Sequence, residues 1–80
     1  MKVSLEYTDT FAGEANYGWL RRTDLTPDDV DLDNERAVVR WAKAWAGLTG
    51  MPCRRENHAE MIVLHPRGMC TVLFIVWYSD

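Results

Sequence analysis

The segment "MCTVLFIVWYSD", Met69 to Asp80, is apolar at both parities. Leu73, Ile75 and Trp77 fall on one face, and Val72, Phe74, Val76 and Tyr78 on the other. The apolar run Val72 to Tyr78 reaches about 23 Å as a strand but only about 10 Å as a helix, too short to cross a bilayer helically. A strand apolar on both faces lies at the centre of a sheet, or turns its second face to another chain. The rest of the chain must therefore supply a sheet around it.

That supply is bounded. A chain of 80 residues makes one domain with one modest core, so residues 1–80 are read as a single unit. Four Trp give the core members of large area. "KVSLEYT" alternates, with Val3, Leu5 and Tyr7 on one side and Ser4, Glu6 and Thr8 on the other, which predicts a half-buried strand. "DTFAGEA" reads as a hairpin loop around Gly13, and "NYGWLRR" as the returning strand, with Gly18 marking a bulge or close packing.

In "LTPDDVDL", Thr26 suits an N-cap, Pro27 a first helical position, and Asp28 and Asp29 the positive end of a helix dipole. Asp33 or Asn34 can then cap a longer helix over "ERAVVRWAKAWAGL". Val38, Trp41, Trp45 and Leu48 form its apolar stripe, with Arg36, Arg40 and Lys43 opposite. "GLTGMP" stops it. "ENHAEMIVLH" is the third strand, "HPRGM" a turn with Gly68 in the left-handed position, and the apolar C-terminal segment the fourth strand. The order ββαββ predicts an α+β fold: a four-stranded antiparallel sheet with one main helix packed on one face. The uncovered face makes a homodimer or a docked partner an expected arrangement.

Charge is unevenly divided. Residues 5–35 hold nine acids against Arg21 and Arg22, whereas residues 36–80 hold three acids against six bases. "TPDDVDLDNE" alone contributes Asp28, Asp29, Asp31, Asp33 and Glu35. A calcium loop beginning at Asp29 matches Asp31 and Asp33. It then fails at Asn34, where a turn glycine belongs, and at Arg40, where the bidentate glutamate belongs. Cys53, His58, His65 and Cys70 have a symmetric spacing. With the turn at Pro66 to Gly68, however, His65 is expected opposite Met69, Cys70 opposite Leu64 and His58 opposite Val76. Four ligands would be strung along the ribbon, too far apart for one zinc ion. "HAE" lacks the P-C-x-x-C partner of zinc deaminases.

No G-x-S-x-G or phosphate-cradling glycine loop is present, and the only serines are Ser4 and Ser79. Cys70 is expected to be a buried, inert thiol. The expectation is a protein that is not an enzyme, with no cofactor and no metal. It is also read as soluble in a reducing bacterial host cytoplasm, with no signal peptide and no membrane contact.

Two readings of the charge remain. In the first, the acids of 26–35, extended by Glu6, Asp9 and Glu14, form a partner-facing surface that occupies the Lys and Arg side chains of a DNA-binding protein. In the second, Arg21, Arg22, Arg54 and Arg55 contact phosphate, with Trp19 available for stacking. The chain is then a small nucleic-acid-binding or regulatory domain, although its net charge of -3 opposes this. A third possibility is a structural homodimer joined through the second face of the last strand.

"YTDTFAGEANYGWLRR", Tyr7 to Arg22, resembles the opening of small phage and prophage proteins, mostly without assigned function. In size, acidity and style the whole chain resembles the small phage-encoded anti-CRISPR proteins, especially those acting on type I surveillance complexes. These share no common fold or motif, so no site residue carries over from them. The resemblance implies a stoichiometric inhibitor that docks on a CRISPR effector, over a basic surface that reads target DNA or its PAM.

Overall fold

A computed structural model describes residues 1–11 and 14–79, and for 10–11 and 14–20 the backbone alone. The elements are β1 (Lys2–Phe11), β2 (Glu14–Leu25), α1 (Glu35–Trp45), β3 (Cys53–Asn57), β4 (Met61–Pro66) and β5 (Thr71–Tyr78). The strands form one antiparallel sheet in the order β2-β1-β5-β4-β3. β5 is central, as its two apolar faces require. The hairpin loop expected around Gly13 falls on 12–13, outside the described residues.

The fold is α+β with one helix, but the sheet has five strands rather than four. "ENHAEMIVLH" is not one strand. The chain reverses at 58–60, where His58 N–H donates to the Met61 carbonyl at 2.8 Å, and Cys53–Asn57 pairs back on β4 as a separate edge strand. Its sequence, "CRREN", has no apolar alternation. An edge strand needs none, and charged side chains there discourage further pairing.

The β4–β5 register also differs from the expected one by three residues. Leu64 opposes Leu73 and Met61 opposes Val76. Pro66 stays in β4 opposite Cys53, and the turn runs instead through 67–70 with Gly68 at φ 76°. Cys70 therefore lies in the turn, ahead of β5, and its thiol is exposed rather than buried.

Parity along the ladders divides the sheet into two faces. Val3, Leu5 and Tyr7 of β1, Leu73 and Ile75 of β5, and Ile62 and Leu64 of β4 form the core with Val38, Ala42, Ala46 and Leu48. Trp41 and Trp45 are half-buried against it. Tyr7 donates from its hydroxyl to Thr71 Oγ1 at 2.9 Å, tying β1 to β5. The opposite face is more closed than the alternation in β1 suggests, because Ser4 and Thr8 are buried with Val63 and Val72. β1 is an interior strand, flanked by β2 and β5, so its polar side is shielded by neighbours. Phe74, Val76 and Met61 on this face are half-buried, and Tyr78 is exposed. The β1–β2 ladder shifts register between Tyr7 and Asp9, facing the stretch that contains Gly18.

Both ends of α1 use the chemistry their residues suit. Asn34 Oδ1 accepts from Ala37 N–H at 3.1 Å, closing the N-terminus. At the other end Gly47 N–H donates to the Ala44 carbonyl (3.1 Å) and Leu48 N–H to the Lys43 carbonyl (2.7 Å). This is a Schellman arrangement with Gly47 at φ 76°, and it folds Leu48 back into the core.

Candidate functional site

The acidic segment is held in place by its own side chains. Leu25 ends β2 in the core, and the next residue, Thr26, forms a reciprocal box with Asp29. The Asp29 carboxylate accepts from Thr26 N–H (2.9 Å) and from the Thr26 hydroxyl (3.3 Å), and Thr26 Oγ1 accepts from Asp28 N–H (3.3 Å). Asp31 Oδ1 then accepts from Asp33 N–H at 3.1 Å, and Asn34 N–H donates to the Asp31 carbonyl at 3.0 Å, an Asx-type turn leading to the helix cap. Between them Leu32 is buried, and the Trp77 indole N–H donates to its carbonyl at 3.0 Å. The loop is thus anchored to the end of the central strand.

All five carboxylates of the segment are exposed, but their duties differ. Asp29 and Asp31 shape the backbone. Glu35 pairs with Arg55 at 3.2 Å. Among the described residues the Asp28 and Asp33 side chains have no partner.

The other acids named from the sequence do not join them. Glu6 lies on the sheet face away from α1 and pairs with Arg22 at 3.3 Å. Asp9 lies about 20 Å along β1 from Val3, the residue opposite Leu25 where the loop departs. Glu14 opens β2 opposite Phe11, and its side chain lies outside the described residues. The fold instead brings up Glu60 and His58 from the β3–β4 turn. With Leu32, Asp33, Glu35 and Trp77 they line a groove of about 160 Å³. Trp77 N–H donates to the Glu60 carbonyl at 2.8 Å, which sets the turn against β5. Nothing in the local sequence links Glu60 to Asp33; only the position of the turn does.

The arginines of the nucleic-acid reading are engaged within the molecule. Arg21 lies over the Trp45 ring at 5.1 Å and donates to the Trp45 carbonyl at 3.3 Å. Arg22 is held by Glu6, Arg54 by Glu56 (3.4 Å), and Arg55 by Glu35 and by Asn57 Oδ1 (2.7 Å). These four do not form one patch: parity places Arg22 and Arg54 on the face away from α1, and Arg21 and Arg55 on the helix side. The Trp19 side chain lies outside the described residues.

No group of three or more His, Cys, Asp or Glu among the described residues is placed to hold a metal ion. Cys53 and Cys70 are both free thiols. One titratable cluster stands out on the β3 edge, away from the helix. Glu56 is hydrogen-bonded to His65, lies 3.4 Å from Arg54, and lies 3.9 Å from His58. The His65 hydrogen bond holds the Glu56 carboxyl below its ordinary value of 4.5. Desolvation pulls the other way, and the charges of His65, Arg54 and His58 add to the lowering.

A carboxyl whose pKa is depressed by folding stabilises the folded state above its unfolded value, and that contribution is lost as pH falls through the depressed value. The stability advantage of the native chain over Glu56→Gln is therefore expected to be present just above pH 4.5 and to vanish in stronger acid. Urea unfolding of both proteins across that range measures it. An advantage that persisted in strong acid would rule out the ionised carboxylate as its source.

No helix among the described residues is long and apolar enough to cross a membrane. No known protein family, curated protein or solved structure matches the chain.

Proposed function

We propose that this chain is a stoichiometric, non-enzymatic inhibitor of phage type. It docks the carboxylates of residues 26–35 on a basic, DNA-reading surface of a type I CRISPR effector complex and blocks target or PAM recognition. The supporting observation is the fixed acidic loop, on which Asp28 and Asp33 stand exposed and unpartnered while the backbone beneath them is tied to Thr26, Asp31, Asn34 and Trp77. Charges on a preorganised loop avoid most of the ordering entropy that a flexible acidic tail loses on binding. They also raise the encounter rate with a cationic partner. The groove beside Asp33, lined also by Glu35, Glu60 and Trp77, suits an incoming Lys or Arg whose methylene stem packs on the indole. In this reading Glu60 joins Asp28, Asp33 and Glu35 at the contact. Glu6, on the sheet face away from α1, and Asp9, distant, are left out of it.

The test uses a panel of purified type I effector complexes and a fluorescent double-stranded target carrying the matching PAM. Pre-incubation with the chain is expected to abolish target binding in at least one complex at a one-to-one ratio, with affinity that falls as salt rises. Unimpaired target binding throughout the panel would overturn the proposal, as would inhibition that is indifferent to salt.

A further inference from the structure

On the far side of the Glu35–Arg55 pair from the acidic loop, the surface changes sign. Arg36, Arg40 and Lys43 lie on the polar side of α1, one turn apart in succession, with Val39 between them. The Schellman turn brings Thr49 and Gly50 alongside. Arg55, opposite Leu64 in β3, stands on the helix side of the edge strand and closes the groove from below. These residues line an open groove of about 310 Å³, at the small end of the range for ligand pockets.

Four cations and one flanking carboxylate, Glu35, meet here in a protein whose net charge is -3. Lys43 donates one hydrogen bond to the Met51 carbonyl at 2.8 Å, which places its ammonium at the groove. Arg55 is oriented by Asn57 and Glu35. Arg36 and Arg40 have no partner among the described residues. Like charges four residues apart on a helix oppose its formation, so this pair is a local cost with no compensation inside the chain.

We propose that the groove between α1 and β3 is a binding site for a phosphate ester. Two guanidinium groups on successive turns, each with a forked set of donors, match the tetrahedral oxygens of a phosphate, and Lys43 adds a compact positive charge. Thr49 and Gly50 offer small polar walls that let the ester approach closely. Val39 gives the sugar or base a modest apolar contact. The phosphate can be carried by a free nucleotide or by the backbone of a single nucleic-acid strand. The site shares Arg55 with the four arginines of the nucleic-acid reading, and the Glu35–Arg55 pair joins it to the end of the acidic segment; Arg21, Arg22 and Arg54 lie elsewhere.

Titration of the labelled protein with adenosine monophosphate, and separately with a short oligothymidylate, followed by ¹⁵N NMR at low salt, tests the assignment. Saturable shifts are expected at the Thr49 and Gly50 amides and at the Arg36 and Arg40 side-chain N–H signals. The double variant Arg36→Gln/Arg40→Gln is expected to bind about tenfold to a hundredfold more weakly, with the fold confirmed by an unchanged amide spectrum elsewhere. Equal affinity for the two probes identifies a free phosphate ester as the ligand. Tighter binding of the oligonucleotide with a steeper salt dependence identifies a nucleic-acid backbone. Absence of saturable shifts with both probes would overturn the proposal, and so would binding that the double variant retains in full.

Discussion

Ile75→Ala is expected to remove about 2–5 kcal/mol of folding stability, the cost of leaving a cavity in a core that relaxes only in part. Ile75 is fully buried in the central strand, opposite Leu5 of β1 and Ile62 of β4 on the face beneath α1. Average stabilities scale to about 4–12 kcal/mol for a chain of this length, so the variant loses a large share of the total. Urea unfolding followed by tryptophan fluorescence reads the change. The informative comparison is Val76→Ala, one residue along and on the other face, where the side chain is only half-buried. It is expected to lose markedly less. Equal losses would mean that the second face is packed as tightly as the first, the result demanded if two copies associate through it. Light scattering on the native protein then decides whether such a dimer forms.

The central place of β5 is legible in the sequence, but which of its two apolar faces lies under α1 is not. Apolar residues at both parities require a central strand, and β5 is central. The Val38, Trp41, Trp45 and Leu48 stripe requires a helix on one face, and α1 packs there with Val38 buried, although it ends at Trp45 and Leu48 reaches the core from the turn that follows. Asn34 and Gly47 mark the helix ends through chemistry that acts over a few residues. Signals of this kind are local and survive in sequence.

β3 was hidden because an edge strand made of "CRREN" has no apolar period; it is recruited by the ladder of β4 rather than by its own pattern. The β4–β5 register was misjudged for a related reason. Pro66 reads as a turn residue, yet it ends β4 opposite Cys53; the reversal moves from 66–68 to 67–70, which shifts the pairing register by three and carries Cys70 into the exposed turn. The site divides in the same way. The acids of 26–35 are legible as exposed loop and cap residues. Their company is not, because Glu60 and His58 arrive through the unrecognised β3–β4 turn. The polar side of α1 could be drawn from the sequence, but Arg55 joins it only once the pairing of Arg55 with Leu64 sets its parity.

That division of labour within the loop determines how the proposed inhibition must be tested. Reversing Asp29 or Asp31 would disturb the Thr26 box or the turn that leads to Asn34, and a loss of activity would then report on folding of the loop as well as on charge. Asp28 and Asp33 carry no such burden. The variant Asp28→Lys/Asp33→Lys is therefore expected to stay folded, losing at most about 1–2 kcal/mol from the cation now beside the N-terminus of α1. Its inhibition of effector–DNA binding is expected to weaken by at least about a hundredfold, since each reversal replaces an attraction to a basic surface with a repulsion. The residual affinity should show a shallower dependence on salt than the native chain, because fewer charges then contribute attractively to the encounter. Glu60→Lys, in the same groove, is expected to act in the same direction although it lies far away in sequence. A folded Asp28→Lys/Asp33→Lys protein that inhibited as well as the native chain would remove the acidic loop from the mechanism. Loss at Asp28 and Asp33 without loss at Glu60 would confine the contact to the loop and exclude the groove.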